Sequence, residues 1–162
     1  MIIKNINYYK SLDNQVSFGS TLAMLLSYYN EDYPETFMNI FNTTFESKEY
    51  YDWLTQRGLL INDPCPMVMR CMEYIIETYT KHSCIITKSP IEKIMHSFIK
   101  RRIPTIIFNK YIPLLLKGYT DNFIIVNDPM GNLNTNYLEK FGENLLYKLS
   151  DIDKTPYFLR LN

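Results

Sequence analysis

The spacing of apolar residues changes from a helical period to a strand period near residue 84, and few folds accommodate that order. Residues 17–29 and 66–80 are apolar with helical spacing, and residues 34–41 and 46–56 predict two shorter helices between them. Residues 84–87 are typical of a strand, and a capped helix begins near Ser89 and ends before Pro104. The runs 105–109, 111–117, 122–127 and 157–159 are typical of strands. Helices in the first half and strands in the second predict an α+β fold with segregated layers.

The composition predicts a single globular domain over residues 1–162. Apolar residues make up 46% of the chain and aromatic residues 15%, which is enough for a real core. The 17 basic and 17 acidic residues cancel, and the basic cluster Lys100-Arg101-Arg102 is isolated, which argues against general nucleic-acid binding. The sequence shows no apolar run near the ~20 residues of a membrane helix and no signal-peptide pattern. We therefore expect a cytoplasmic protein with reduced cysteines and no membrane partner.

Histidine and cysteine, which often serve as catalytic base and nucleophile, are sparse in this sequence. No glycine-rich phosphate loop and no metal-ligand spacing is present, so we expect neither a cofactor nor a metal. His82 and His96 stand apart in the sequence from any Ser or Cys that would form a nucleophile–base pair, although the fold decides their final distance. Cys65, Cys71 and Cys84 occupy positions typical of small buried hydrophobes.

Two segments carry more information together than either carries alone. Residues 12–29 read LDNQVSFGSTLAMLLSYY, and residues 111–131 read YIPLLLKGYTDNFIIVNDPMG. They resemble the two active-site segments of the double-glycine (bacteriocin-processing) leader peptidases and their papain-like relatives. In that family a Cys begins the central helix ahead of Leu-Ala-Met, a His opens a later strand that ends in Gly-Tyr-Asp, and an Asp-Pro follows the next strand. The resemblance implies a papain-like fold, with a central N-terminal helix packed on a C-terminal antiparallel sheet.

The resemblance also implies a role for each matched position. In the family a Cys at a helix N-terminus is the nucleophile, a His is the base, an Asp orients the His, and a Gln donates to the oxyanion. Aligning the motifs puts Ser17 at the nucleophile position, Ile112 at the His position and Asp128 at the position of the orienting acid. Counting back from Ser17 puts Ser11 near the oxyanion Gln, with Gln15 as the alternative if the loop differs. The implied site keeps its Asp and has lost its base.

A second alignment leads to the same loss. Residues 104–126 also resemble the butirosin-type acyltransferases of natural-product pathways, which share this fold class. In that register Asn122 stands at the His position, and Asn109 replaces an acidic residue. Both alignments therefore lack the histidine, whether Ile112 or Asn122 occupies its position.

The missing base favours a pseudoenzyme. A serine hydroxyl needs a positioned base, and general base catalysis contributes about 10²–10⁴-fold in rate. We expect a residual cleft that binds a peptide, a carrier-bound acyl group or a protein partner. Two other functions stay open: an active acyl or peptidyl transferase, or peptidase, with residue 17 as nucleophile, and a viral or phage interaction or inhibitor protein.

Three further interpretations of the site residues stay open beside these functions. Ser17 is also explained as a plain helix cap, and Asp128 as a turn residue. Ser17 as an engineered replacement of Cys in an active enzyme would require His82 or His96 nearby.

Overall fold

The computed structural model describes residues 1–11, 17–31 and 34–162 of the chain. Its helices are α1 (Ser17–Tyr28), α2 (Pro34–Phe45), α3 (Lys48–Gln56), α4 (Met67–Tyr79) and α5 (Ile91–Ser97). Its strands are β1 (Cys84–Lys88), β2 (Thr105–Asn109), β3 (Ile112–Tyr119), β4 (Phe123–Asn127), β5 (Leu145–Lys148) and β6 (Tyr157–Leu161). Short 3-10 turns occupy Ile99–Arg101, Leu133–Thr135 and Leu149–Asp151.

Helix α1 is the centre of the molecule. Every residue from Gly19 to Ser27 is buried, as expected for a helix that is apolar on all sides. It packs against α2, α4, β2 and β3. A β-carbon on Gly19 would lie 2.8 Å from the Cα of Met38, so the absence of a side chain lets the backbones of α1 and α2 approach closely. None of the helices in the described ranges is both long and apolar enough to span a membrane.

The sheet has the strand order β1-β6-β2-β3-β4-β5, and each neighbouring pair is antiparallel. The last strand in the sequence, β6, therefore lies between β1 and β2. Strands β2 and β3 form a two-residue hairpin in which Asn109 pairs with Ile112. This hairpin joins the end of β2 to the start of β3, at the end of the sheet where α1 begins.

The N-terminal segment runs beside β3 and then along α1. Ile2 forms a bridge with Gly118, next to a bulge in the pairing of β3 with β4. Farther along, the Asn7 N–H donates a hydrogen bond of 3.0 Å to the Ser27 hydroxyl. The segment thus leaves the C-terminal end of α1 and continues to Ser11, whose N–H donates to the Pro129 carbonyl at 2.8 Å.

The predicted α+β architecture, with a central N-terminal helix packed on an antiparallel sheet, is confirmed, and the predicted elements occur with shifted ends. Helix α2 continues to Phe45 instead of ending near residue 41, and α3 begins at Lys48 after the N-cap Ser47. Strand β5 was not predicted, because it is only four residues long and most of its residues are not buried. Its pairing with β4, which is a long-range contact, is what makes it a strand.

Candidate functional site

The first turn of α1, which begins at Ser17, is fastened to the start of β3. The Thr21 hydroxyl donates to the Ser17 carbonyl at 2.8 Å and lies 3.3 Å from the Pro113 carbonyl. Ser17 and Thr21 are both buried, so water does not compete for these contacts. Ile112 precedes Pro113 and is half-buried, and it therefore lies near the N-terminal turn of α1.

The Asp-Pro turn lies at the same end of the sheet. Asn127 of β4 pairs with Leu115 of β3, so Asp128 lies beside the first half of β3. The Ser11 N–H donates to the Pro129 carbonyl at 2.8 Å, which draws the N-terminal segment against this turn. The segments gathered in this region carry four of the site positions expected from the sequence: Ser11, Ser17, Ile112 and Asp128.

The two alternative positions are placed differently. Asn122 is exposed in the turn between β3 and β4, where its carbonyl accepts a hydrogen bond of 3.1 Å from the Leu149 N–H. Strand β4 separates Asn122 from Asp128, which puts them about 20 Å apart at the usual rise per strand residue. The structure therefore does not bring Asn122 together with the other positions. Gln15 lies outside the described residues.

The Asp128 carboxylate is fully buried and accepts hydrogen bonds from its own loop and from β5. Its Oδ2 accepts from the Tyr147 hydroxyl at 2.7 Å and the Tyr137 hydroxyl at 3.4 Å, and its Oδ1 accepts from the Met130 N–H at 2.9 Å. Burial raises the pKa of Asp128 to about 6, although these three donors act to lower it. Burial and the adjacent carboxylate also raise the pKa of Tyr137 and of Tyr147, so both are neutral donors.

Tyr8 ties the N-terminal segment to both sides of the Asp128 loop. Its hydroxyl donates to the Asp128 carbonyl at 3.0 Å and accepts from the Gly142 N–H at 3.0 Å. Glycine is required at position 142, because a β-carbon there would overlap the Asp128 carbonyl oxygen. The acid is thus positioned by tyrosines and backbone groups that come from three separate parts of the chain.

One of the two histidines lies at the far end of α1. The Nε2 atom of His82 is 3.7 Å from Oε1 of Glu31, and its ring packs against Tyr29. A helix rises about 1.5 Å per residue, so Tyr29 lies about 18 Å from Ser17.

The other histidine lies at the far end of β3. His96 packs edge-on against Tyr119, the last residue of that strand. At the usual rise of a strand, Tyr119 lies about 23 Å from Ile112. Since these are the only two histidines of the sequence, neither is placed as a base for residue 17.

The three cysteines are free thiols that burial keeps protonated. Burial raises the pKa of Cys65 and of Cys71 to about 12 each, and it raises the pKa of Cys84 as well. Since the thiolate is the nucleophilic form, none of them is activated for catalysis. Within the described ranges, no cluster of His, Cys, Asp and Glu side chains is arranged to hold a metal ion.

A cavity of 470 Å³, which we call the aromatic groove, opens at Phe18, the residue after Ser17. Its lining is mostly apolar, with two polar members: Phe18, Phe41, Phe45, Val68, Asn42 and Glu46. Phe18 and Phe41 stack with centroids 5.7 Å apart, and Phe41 and Phe45 stack at 6.2 Å. The volume lies within the range of about 300–1,000 Å³ that is typical of ligand sites.

The row of rings continues from the aromatic groove to the β2–β3 hairpin. Phe108 packs on Phe18 at 5.9 Å, and Tyr111 meets Phe108 edge-on at 6.3 Å. Tyr111 is 85% exposed. Lys110 and Tyr111 have φ of 46° and 70°, in a two-residue turn where Asn-Gly is favoured. A backbone conformation that is unfavourable for both residues thus presents an exposed ring next to Ile112, and strain of this kind clusters at functional sites.

Solved structures share this architecture at low sequence identity. A double glycine motif protease from an AMS/PCAT transporter, in complex with the leader peptide, has a TM-score of 0.63 and 12% identity over 99% of this chain and 94% of that one. The peptidase domain of Streptococcus ComA, a bi-functional ABC transporter involved in a quorum sensing pathway, has a TM-score of 0.58 and 11% identity over 95% and 98%. UfSP from C. elegans has a TM-score of 0.53 and 12% identity over 99% and 33%. No protein-family model and no curated protein matches the sequence.

The chain therefore has the papain-like cysteine peptidase fold, in the form found in double-glycine peptidase domains. Sequence reasoning missed the tyrosines around Asp128 and the aromatic groove. The signal for the groove was present, since Phe37, Phe41 and Phe45 recur every four residues and so share one face of α2. The tyrosines gave no such signal, because they approach Asp128 from different parts of the chain.

Proposed function

We propose that this protein is a catalytically degenerate papain-like protein that binds a peptide in the aromatic groove. The observation that carries the proposal is the open groove lined by Phe18, the residue after Ser17, combined with the position of the two histidines at the far ends of α1 and β3. Ile112 has no group that accepts a proton. Neither histidine is placed to activate Ser17, whereas a groove walled by rings retains its affinity for apolar side chains.

A peptide is favoured over a carrier-bound acyl group by the comparison with a double glycine motif protease, whose structure contains a leader peptide. The groove offers room for apolar side chains between Phe18, Phe45 and Val68, and Tyr111 extends the same row toward solvent. The three free thiols fit a reducing cytoplasm, where we expect the protein to act.

Titration with fluorescently labelled peptides tests the proposal. The panel consists of short peptides that carry Phe, Leu or Ala at one position ahead of a Gly-Gly pair. We expect saturable binding that is tightest for the apolar bulky side chains. The half-buried positions give two variants: Val68→Trp fills the groove, and Phe45→Ala removes one ring. Each should weaken the affinity at least tenfold.

The control variant is Tyr79→Ala, which removes a ring that is 53% exposed and does not line the groove. Its affinity should stay within twofold of the wild-type value. Binding that survives Val68→Trp unchanged would place the peptide elsewhere, and an absence of saturable binding for the whole panel would remove the proposed function.

A further inference from the structure

A second cavity, of 360 Å³, lies at the other end of α1. Its lining combines apolar, aromatic and basic side chains: Ile2, Ile3, Lys4, Asn5, Tyr28 and Arg102. Tyr28 is the last residue of α1, so the helix rise puts this cavity about 16 Å from Ser17. It shares no lining residue with the aromatic groove.

The charged side chains that line this cavity are both basic. They are Lys4 and Arg102, and no acidic side chain of the described residues lines it. Within the described part of the chain, neither Lys4 nor Arg102 makes a side-chain hydrogen bond or an ion pair, whereas Arg57 and Arg70 are each paired with acids. Guanidinium and ammonium donors that are free in this way fit phosphate oxygens, and the arginine fork can bind them in pairs.

The backbone holds one of these cations in an unfavourable conformation. Arg102 has φ 62° and ψ 36°, in the left-handed region that glycine adopts at far lower cost. The Tyr28 hydroxyl donates to the Arg102 carbonyl at 2.9 Å and fixes this conformation. Asn5, from the opposite wall, also has a φ of 62°. Arg102 belongs to the one basic cluster of the sequence, and Lys100 and Arg101 beside it are exposed and add positive potential.

We infer that this cavity binds a small phosphorylated molecule, with Lys4 and Arg102 on the phosphate and with Tyr28 and Ile2 against an apolar or aromatic body. Its volume suits a small molecule rather than a polymer. The inference does not rest on the proposed peptide binding, because the two cavities lie at opposite ends of α1.

The test is a titration of the whole ¹⁵N-labelled chain with phenyl phosphate, inorganic phosphate and benzoate at fixed ionic strength, followed by backbone amide shifts. We expect saturable shifts for phenyl phosphate at Lys4, Asn5 and Arg102. Phenyl phosphate should bind at least fivefold tighter than inorganic phosphate, which lacks the ring, and than benzoate, which lacks the phosphate. Equal affinity for benzoate would overturn the assignment to phosphate, and equal affinity for inorganic phosphate would overturn the role of Tyr28 and Ile2.

Two variants probe the cations separately. Arg102→Gly removes the guanidinium and suits the left-handed backbone, so the fold should be retained, and Lys4→Ala changes no strained position. Each should weaken phenyl phosphate binding at least tenfold. The double variant Lys100→Ala, Arg101→Ala removes two adjacent exposed charges as the matched control, and it should change the affinity less than threefold. An equal loss in the control would mean diffuse charge attraction, and an unchanged affinity in Arg102→Gly would refute the site.

Discussion

The Asp128 carboxyl lies in an environment very different from water. It is fully buried, and two tyrosine hydroxyls and the Met130 N–H donate to it. Its pKa is nevertheless raised by burial from the ordinary 3.8 to about 6. The folded chain therefore holds the Asp128 proton more tightly than the unfolded chain does. This contribution to stability is fully present below pH ~4 and is lost as the pH rises to about 6.

Replacing Asp128 with Asn should remove this pH dependence. One pKa unit corresponds to about 1.4 kcal/mol, and at pH 4 the unfolded carboxyl is already about half ionised. We therefore expect the wild-type free energy of unfolding to fall by about 2 kcal/mol relative to Asp128→Asn between pH 4 and pH 7. Denaturant unfolding of both proteins at pH 4, 5, 6 and 7 measures the difference. Asp121→Asn, in the exposed β3–β4 turn, is the control. Parallel pH profiles for wild type and Asp128→Asn would contradict the prediction.

At the scale of elements, the turn of the β2–β3 hairpin is unfavourable in its backbone conformation and exposes the aromatic ring of Tyr111. Its two turn residues, Lys110 and Tyr111, both adopt positive φ. A non-glycine residue with positive φ costs roughly 1–2 kcal/mol of stability. Replacing it with glycine removes this cost, but part of the gain is lost because glycine loses more chain entropy on folding. The ring of Tyr111 continues the row that begins in the aromatic groove.

Two glycine substitutions distinguish the effect of the turn on stability from the effect of the Tyr111 ring on peptide binding. Lys110→Gly and Tyr111→Gly should each raise the free energy of unfolding by about 0.5–1 kcal/mol, because each relieves one positive φ. Only Tyr111→Gly should weaken peptide binding, by about three- to tenfold, because it alone removes a ring. Denaturant unfolding and the peptide titration measure the two effects. Equal peptide affinity in both variants would show that Tyr111 does not contact the peptide.

At the scale of the whole molecule, the fold gathers the segments of Ser11, Ser17, Ile112 and Asp128 at one end of the sheet and leaves both histidines elsewhere. Thr21 fastens the Ser17 turn to Pro113, so a side chain at position 112 lies close to the start of α1. Asn122 lies at the opposite end of β4. If Ile112 is the position of a lost base, a histidine there should activate a thiol at position 17, because an imidazole nearby favours the thiolate.

The pair Ser17→Cys, Ile112→His tests this arrangement. We expect iodoacetamide to alkylate residue 17 of the double variant at least tenfold faster at pH 7 than Ser17→Cys alone, measured by peptide mass spectrometry. Ser17→Cys, Asn122→His is the matched control for the other register and should show no acceleration. In the wild-type chain, an electrophilic acyl probe should leave Ser17 unmodified. Acylation of wild-type Ser17 would instead support an active transferase.

The order of helices and strands could be predicted because it depends on the spacing of apolar residues within short stretches of the sequence. The C-terminal end of α2 and the existence of β5 could not be predicted, and β5 depends on its pairing with β4. The Lys110-Tyr111 turn gave no sequence signal either. Only the pairing of Asn109 with Ile112 forces these two residues into a conformation that their own preferences oppose.

The sequence by itself determined the helix-then-sheet order and the side chains available at positions 17, 112 and 128, since both follow from residue identity and local pattern. The tertiary structure alone decided that both histidines lie far from Ser17 and that Asp128 is held by tyrosines. It also decided that Lys4 and Arg102 meet at one cavity. Each of these facts joins residues that are distant in the sequence, and only the packing of α1 against the sheet brings such residues together or keeps them apart.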